Sequence, residues 1–139
     1  MAYWLVKSEP NTWSWDQQVK AGKKGTGWDG VRNAQASNFM KEMKQGDHCF
    51  FYHSGDEKQI VGIVEVIKEY HPDPADETGK YGMVDVAAVA PLPTPVTLKQ
   101  VKADPAFKDL LLVRHSRISV SPVDPTSWAM ICKMGGVKA

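Results

Sequence analysis

His48-Cys49-Phe50-Phe51-Tyr52-His53-Ser54-Gly55-Asp56, followed shortly by Ile60 through Ile67, is the stretch that decides the fold. Its first six residues have the aromatic and apolar content of a buried strand. Ser54-Gly55-Asp56 has turn chemistry, and the second run reads as a strand interrupted by Gly62. The two make a hairpin. Upstream, Tyr3-Trp4-Leu5-Val6-Lys7 reads as a strand that ends at Ser8-Glu9-Pro10-Asn11, because proline has no donor for a ladder and biases Glu9 toward an extended backbone. Downstream, His71 to Asp76 is loop-like, and Met83 to Ala90 resumes strand character before an expected stop at Pro91, Pro93 and Pro95. Arg117 to Val123 alternates polar with apolar residues, as a half-buried strand does.

Helical signals are shorter. Ser14 with Gln17 and Thr97 with Gln100 fit the capping box, predicting helices to about Ala21, closed by Gly22, and to about Ala103. From Ala34, the positions Ala36, Phe39, Met40 and Met43 follow helical spacing until Gly46-Asp47. Asp104-Pro105 starts a further turn through Leu110, and Asp124-Pro125 caps a last helix carrying Trp128 and Ile131. Lys23 to Gly27 reads as a flexible basic loop. Strands outnumber helices and do not alternate with them as βαβ units. The expected class is therefore α+β, a mixed β-barrel of about five to six strands with short peripheral helices, in one domain over residues 1–139.

Apolar residues make up 42% of the 139 and charged residues 24%, which argues against global disorder. The formal charge of +1 means that any affinity for polyanions has to come from local clusters of Lys and Arg. Cys49 and Cys132 form no CxxC pair, so neither a disulfide framework nor a zinc site is suggested, and buried thiols in a reducing compartment are expected. No run approaches the ~20 apolar residues of a membrane span, and the first residues lack a charged leader; no membrane partner and a cytoplasmic location, nuclear in a eukaryote, are expected. Five tryptophans imply an aromatic core, a stacking site, or both.

Catalytic patterns are poorly represented. Ser8, Ser54 and Ser119 are conceivable nucleophiles with His53 or His115 as base, but no G-x-S-x-G elbow is present. The four histidines are never spaced i, i+4, and Lys23-Lys24-Gly25-Thr26-Gly27 lacks the P-loop order, so no metal and no cofactor is expected. Trp28-Asp29-Gly30-Val31-Arg32-Asn33-Ala34-Gln35 is different in kind. It joins an indole face, a forked cation and two side-chain amides across a glycine turn, which is a recognition set and not a catalytic one. Each member also has a plainer reading: Trp28 as core, Arg32 as partner of a carboxylate, Asn33 as a helix cap. Tyr52-His53-Ser54 ends a buried strand either as packing followed by a polar turn or as the mouth of a barrel. Arg114-His115-Ser116-Arg117 is the densest basic run, able to neutralise phosphates locally, or else a solvated surface.

Taken together, Tyr3-Trp4-Leu5-Val6-Lys7-Ser8-Glu9-Pro10, Trp28-Asp29-Gly30-Val31-Arg32-Asn33, Gly46-Asp47 with Phe50-Phe51-Tyr52-His53-Ser54, and Leu112-Val113-Arg114 with Arg117-Ile118-Ser119-Val120 resemble an EVE domain, from Tyr3 to about Met130. The resemblance implies a PUA-like fold, in one superfamily with YTH domains, which hold a methylated RNA base in an aromatic cage. It implies a non-catalytic reader of a modified base, methylated or hydroxymethylated, in DNA or RNA. By that likeness Lys7, Ser8, Trp28, Asn33, Tyr52, His53 and Ser54 line the pocket, Tyr81 supplies a second cage aromatic, and Arg32, Arg114 and Arg117 meet the nucleic-acid backbone. Ala34 stands where an aromatic is common in the family, and Tyr81 where a Trp is frequent. A base enclosed in such a slot has to leave its stack, which costs a few kcal/mol and is offset by aromatic contact and edge hydrogen bonds. A monomer is expected. The alternatives are an enzyme or binder acting on a free nucleoside-like molecule, and a protein-interaction module.

Overall fold

The computed structural model describes residues 2–115 and 117–137. Six strands form one sheet: β1 (Tyr3–Ser8), β2 (Thr26–Gly27), β3 (His48–His53), β4 (Gln59–Pro72), β5 (Gly82–Thr97) and β6 (Val120–Val123). Their order is β2-β5-β4-β3-β1-β6, with β1 parallel to β3 and the other pairs antiparallel. The expected hairpin is β3–β4, and it is the centre of the sheet. The ladder is not closed among the described residues: β2 and β6 remain edges, so the barrel is an open, curved one.

Curvature comes from irregularity. The β4–β5 register shifts at four places between Ile60 and His71, and each bulge bends and twists the ribbon. One shift explains why the three prolines do not stop β5. Gly62 pairs with Pro91 but Ile60 already pairs with Val96, so Leu92 to Pro95 bulge out where few ladder bonds are demanded, and Thr94 donates instead to the Gly135 carbonyl at 3.1 Å. β4 also runs past the loop expected at His71, because His71 and Pro72 still pair with Met83 and Gly82.

Five helices flank the sheet: α1 (Trp15–Lys20), α2 (Ala34–Glu42), α3 (Leu98–Ala103), α4 (Leu111–Arg114) and α5 (Pro125–Met134). Both capping boxes, at Ser14/Gln17 and Thr97/Gln100, form as the sequence predicts. Lys23 to Gly27 is more ordered than the loop expected of it, with a 3-10 turn over Gly22–Lys24 and strand β2 paired to β5. β6 is shorter than expected, and Arg117 to Ser119 lie outside it, although the Ser119 carbonyl still accepts from Lys7 N at 2.9 Å. The turn α4 carried no cap signal and was not foreseen.

Strand alternation divides the interior into two apolar clusters. Trp4, Val6, Cys49 and Phe51 face one, with Trp15, Trp28 and the α2 residues Ala36 and Met40. Leu5, Phe50 and Tyr52 face the other, with Phe107, Leu112 and Trp128. Both cysteines are buried and unpaired, and burial pushes their thiols up, as expected of inert packing. Gly62 is required by packing: a Cβ there would lie 2.5 Å from the ring of Trp15.

Candidate nucleic-acid interface

The parallel register sets Lys7 opposite Tyr52 and Ser8 opposite His53 at the shared end of β1 and β3. By alternation, Ser8 and His53 belong to the face of Phe51, whereas Lys7 and Tyr52 belong to the face of Phe50. The expected single pocket is thereby split.

On the first face, Trp13, Trp28, Lys7, Ser8, Thr12 and Asp29 surround a slot of about 320 Å³. Its two indoles are held by polar anchors. Ser8 Oγ donates to the Trp13 carbonyl at 2.6 Å, and Trp13 Nε1 donates to Gln18 Oε1 at 2.9 Å. Gln18 is itself wholly buried and donates to the Val86 carbonyl at 3.2 Å, which ties the Trp13 ring to β5. Trp28 extends β2, donating from its backbone to Val84 O at 2.7 Å, and its ring meets Phe51 at 86° with 5.4 Å between centroids. At 7% exposure Trp28 is part of the core, as its plainer reading has it, and it also borders the slot.

His53 does not line this slot. The Trp15 amide can only donate, and it donates to His53 Nε2 at 3.0 Å; the ring proton therefore sits on Nδ1, 2.9 Å from Glu57 Oε1. That bond is the main reason the Glu57 carboxyl lies below its ordinary value. With both nitrogens engaged, His53 fixes the start of α1, and with it the Trp13 segment.

The loop from Trp28 to Asn33 is fixed by a residue absent from the expected site, Asp73. Its buried carboxylate accepts from Gly30 N at 3.0 Å, Ala75 N at 2.8 Å and Arg32 Nη1 at 3.1 Å. Burial alone would raise the Asp73 pKa, but these bonds and the Arg32 charge outweigh it and hold the carboxyl below the usual value. Gly30 has a φ of +76°, where a side chain would be strained. Arg32 thus has the carboxylate partner of its plainer reading, and its guanidinium also lies 5.6 Å from the Tyr81 ring centre.

Tyr81 stands apart from the slot, in a depression of about 270 Å³ with Tyr70, Lys41 and Lys80. The second aromatic of the slot is Trp13, from the β1–α1 connection. Asn33 caps α2, accepting from Ala36 N at 2.9 Å, and lies with Arg114, His115 and Arg117 around a third depression. Arg114 and Arg117 are both exposed there; Ser116 lies outside the described residues. Tyr52 and Ser54 line yet another depression with Lys58 and Lys102, which shares Lys7 with the slot. Burial holds the Lys7 ammonium below its ordinary value and pushes the Tyr52 hydroxyl up, and Lys7 Nζ lies 5.6 Å from the Tyr52 ring centre.

Sequence reasoning therefore missed Trp13, Gln18, Asp29 and Asp73 as slot-forming or loop-fixing residues. Only Trp13 had a legible signal, as an indole beside the Ser14 cap and close in sequence to Ser8. Among the described residues no cluster of His, Cys, Asp or Glu is placed to hold a metal ion, and no helix is long and apolar enough to cross a membrane.

An open, bulged six-stranded mixed sheet with short helices on both faces and a polar aromatic slot at the end of β1 defines an α+β protein of the PUA-like kind. The chain belongs to the EVE domain family, whose model matches residues 2–134. The NMR structure of Rpa0253 from Rhodopseudomonas palustris matches it with a TM-score of 0.92 at 54% identity, covering 98% of this chain and 94% of that one. Thymocyte nuclear protein 1 of Homo sapiens is 30% identical over 154 residues, 88% of this chain and 68% of the relative. The crystal structure of human THYN1 protein in complex with 5-methylcytosine containing DNA matches with a TM-score of 0.89 at 30% identity over 100% of both chains. The YTH domain of Zygosaccharomyces rouxii MRB1, in complex with N6-methyladenosine RNA, shares the fold at a TM-score of 0.59 and 18% identity, over 99% of this chain and 88% of that one.

Proposed function

We propose that the protein is a non-catalytic nucleic-acid binder that reads a modified base in the slot between Trp13 and Trp28. The observation that carries this reading is the slot itself: two indoles, one fixed through Gln18 and the other through Phe51, border a space lined by hydroxyls, the Asp29 carboxylate and Lys7. Aromatic walls take the faces of any base, and a methyl group adds contact area inside them. Asp29 supplies an acceptor, which favours a ring bearing an exocyclic amine such as cytosine or adenine. The family membership and the DNA-bound relative support the same conclusion. Arg114 and Arg117, reached from the slot along the loop to Asn33, are suited to backbone phosphate. Arg32 and Tyr81, 5.6 Å apart, pair a cation with an aromatic face, which suits a flanking nucleotide. A role for His53 is then one of positioning, through α1.

The test is a titration of fluorescent oligonucleotides, with and without 5-methylcytosine, against wild type and Trp13→Ala. Trp13 is the better probe because Trp28 is core, where truncation to Ala costs about 3–5 kcal/mol of stability. Wild type is expected to prefer the modified strand, and Trp13→Ala to lose about 1–3 kcal/mol of binding together with that preference. Equal affinities across all four combinations would sink the proposal. Turnover of free nucleosides on incubation, read by mass spectrometry, would favour an enzyme instead.

A further inference from the structure

On the face opposite the slot, Lys7, Tyr52, Ser54, Gly55, Lys58 and Lys102 surround a depression of about 330 Å³ that the sequence did not suggest as a site of its own. Two of its lysines come from distant parts of the chain and are held together by one backbone bond. Lys58, at a left-handed φ of +48°, offers its carbonyl to Leu98 N at 2.8 Å; Leu98 begins α3, and Lys102 lies one turn further along that helix. Neither Lys58 nor Lys102 forms an ion pair among the described residues, and no carboxylate is among the groups that line the depression. At the rim, Glu9 packs against Gly55.

Lys58 and Lys102, beside the Ser54 hydroxyl and with no carboxylate in the lining, are complementary to a phosphodiester. Lys7 lines both this depression and the base slot, so the two open around the same end of β1. A strand whose base enters the slot has its own backbone at that end. We propose that the Lys58–Lys102 depression binds a backbone phosphate next to the nucleotide held in the slot, as a second anchoring site separate from Arg114 and Arg117. This inference rests on the base-reading function proposed above.

The experiment uses a 5-methylcytosine oligonucleotide in which the linkage on one side or the other of the modified nucleotide is a neutral methylphosphonate, titrated against wild type, the Lys58→Gln/Lys102→Gln double variant and Glu9→Gln. Wild type is expected to lose affinity when one of the two linkages is neutralised, and the double variant to be indifferent to it. The double variant should bind modified and unmodified strands more weakly by one common factor, with a slope of log affinity against log salt shallower by about 1, as for the loss of one phosphate contact. Glu9→Gln should bind both more tightly. If wild type prefers the modified base while the double variant keeps wild-type affinity, salt slope and sensitivity to the neutral linkages, the phosphate site is overturned and the base reading stands. If wild type shows no preference for the modified base, the base reading falls and this inference with it.

Discussion

The two faces of the sheet use aromatic rings in opposite ways. On the face of Phe50, Trp128 is stacked between Tyr3 and Phe50, with centroids 4.4 and 3.9 Å away and planes within 20° of parallel. Both sides of the indole are consumed by packing. On the face of Phe51, Trp15 and Trp28 meet that ring at 69° and 86°, and Trp13 touches the core through a hydrogen bond to Gln18. A perpendicular contact anchors a ring without covering both its faces, so this side of the sheet can be rigid and still present an aromatic wall. What distinguishes the faces is therefore not aromatic content but ring orientation and the polar groups that set it.

Phe50→Ala should cost about 3–5 kcal/mol of stability by urea unfolding, while the molecules that remain folded keep their relative preference for modified over unmodified strands. A lost preference at intact stability would mean that the two faces are not separable. Asp73→Ala should cost less, about 2 kcal/mol, and should also weaken nucleic-acid binding, because Gly30 N and Arg32 lose their common partner. The same carboxylate gives a signed pH effect. Asp47, which accepts from Trp4, Lys44 and Ala2, and Asp73 both have native pKa values below their ordinary 3.8. Their stabilisation is therefore full above that value and is lost as pH falls through the lower native values. The wild-type urea midpoint should drop in acid below about pH 4, and that of Asp73→Ala should drop less.

Much of this was legible in the chain. The β3–β4 hairpin, both capping boxes and the Asn33–Gln35 entry to α2 are local signals, and local chemistry decides them. The EVE motifs likewise brought Ser8 and Trp28 into one slot. Other features could not be read, because they depend on register. Which face of the sheet Lys7 and Ser8 each belong to is set by pairing with β3, and a shift of one residue would exchange them. Asp73 reads as a loop residue until the fold brings it beneath Gly30. The Lys58–Lys102 depression exists only because a turn and a helix from separate segments share one backbone bond. The prolines of β5 misled for the same reason: a bulge tolerates them, and bulges are a property of the pair of strands.

Trp13 and Trp28 are the rings proposed to hold a base, Trp28 from within the core, whereas Trp4 and Trp128 serve packing. The five indole N–H signals in a 1H–15N spectrum report on this directly, titrated with a 5-methylcytosine oligonucleotide. With a base held between Trp13 and Trp28, their two signals are expected to move with saturation while those of Trp4 and Trp128 stay in place. Movement of Trp128 or Trp4 with Trp13 and Trp28 unchanged would contradict it.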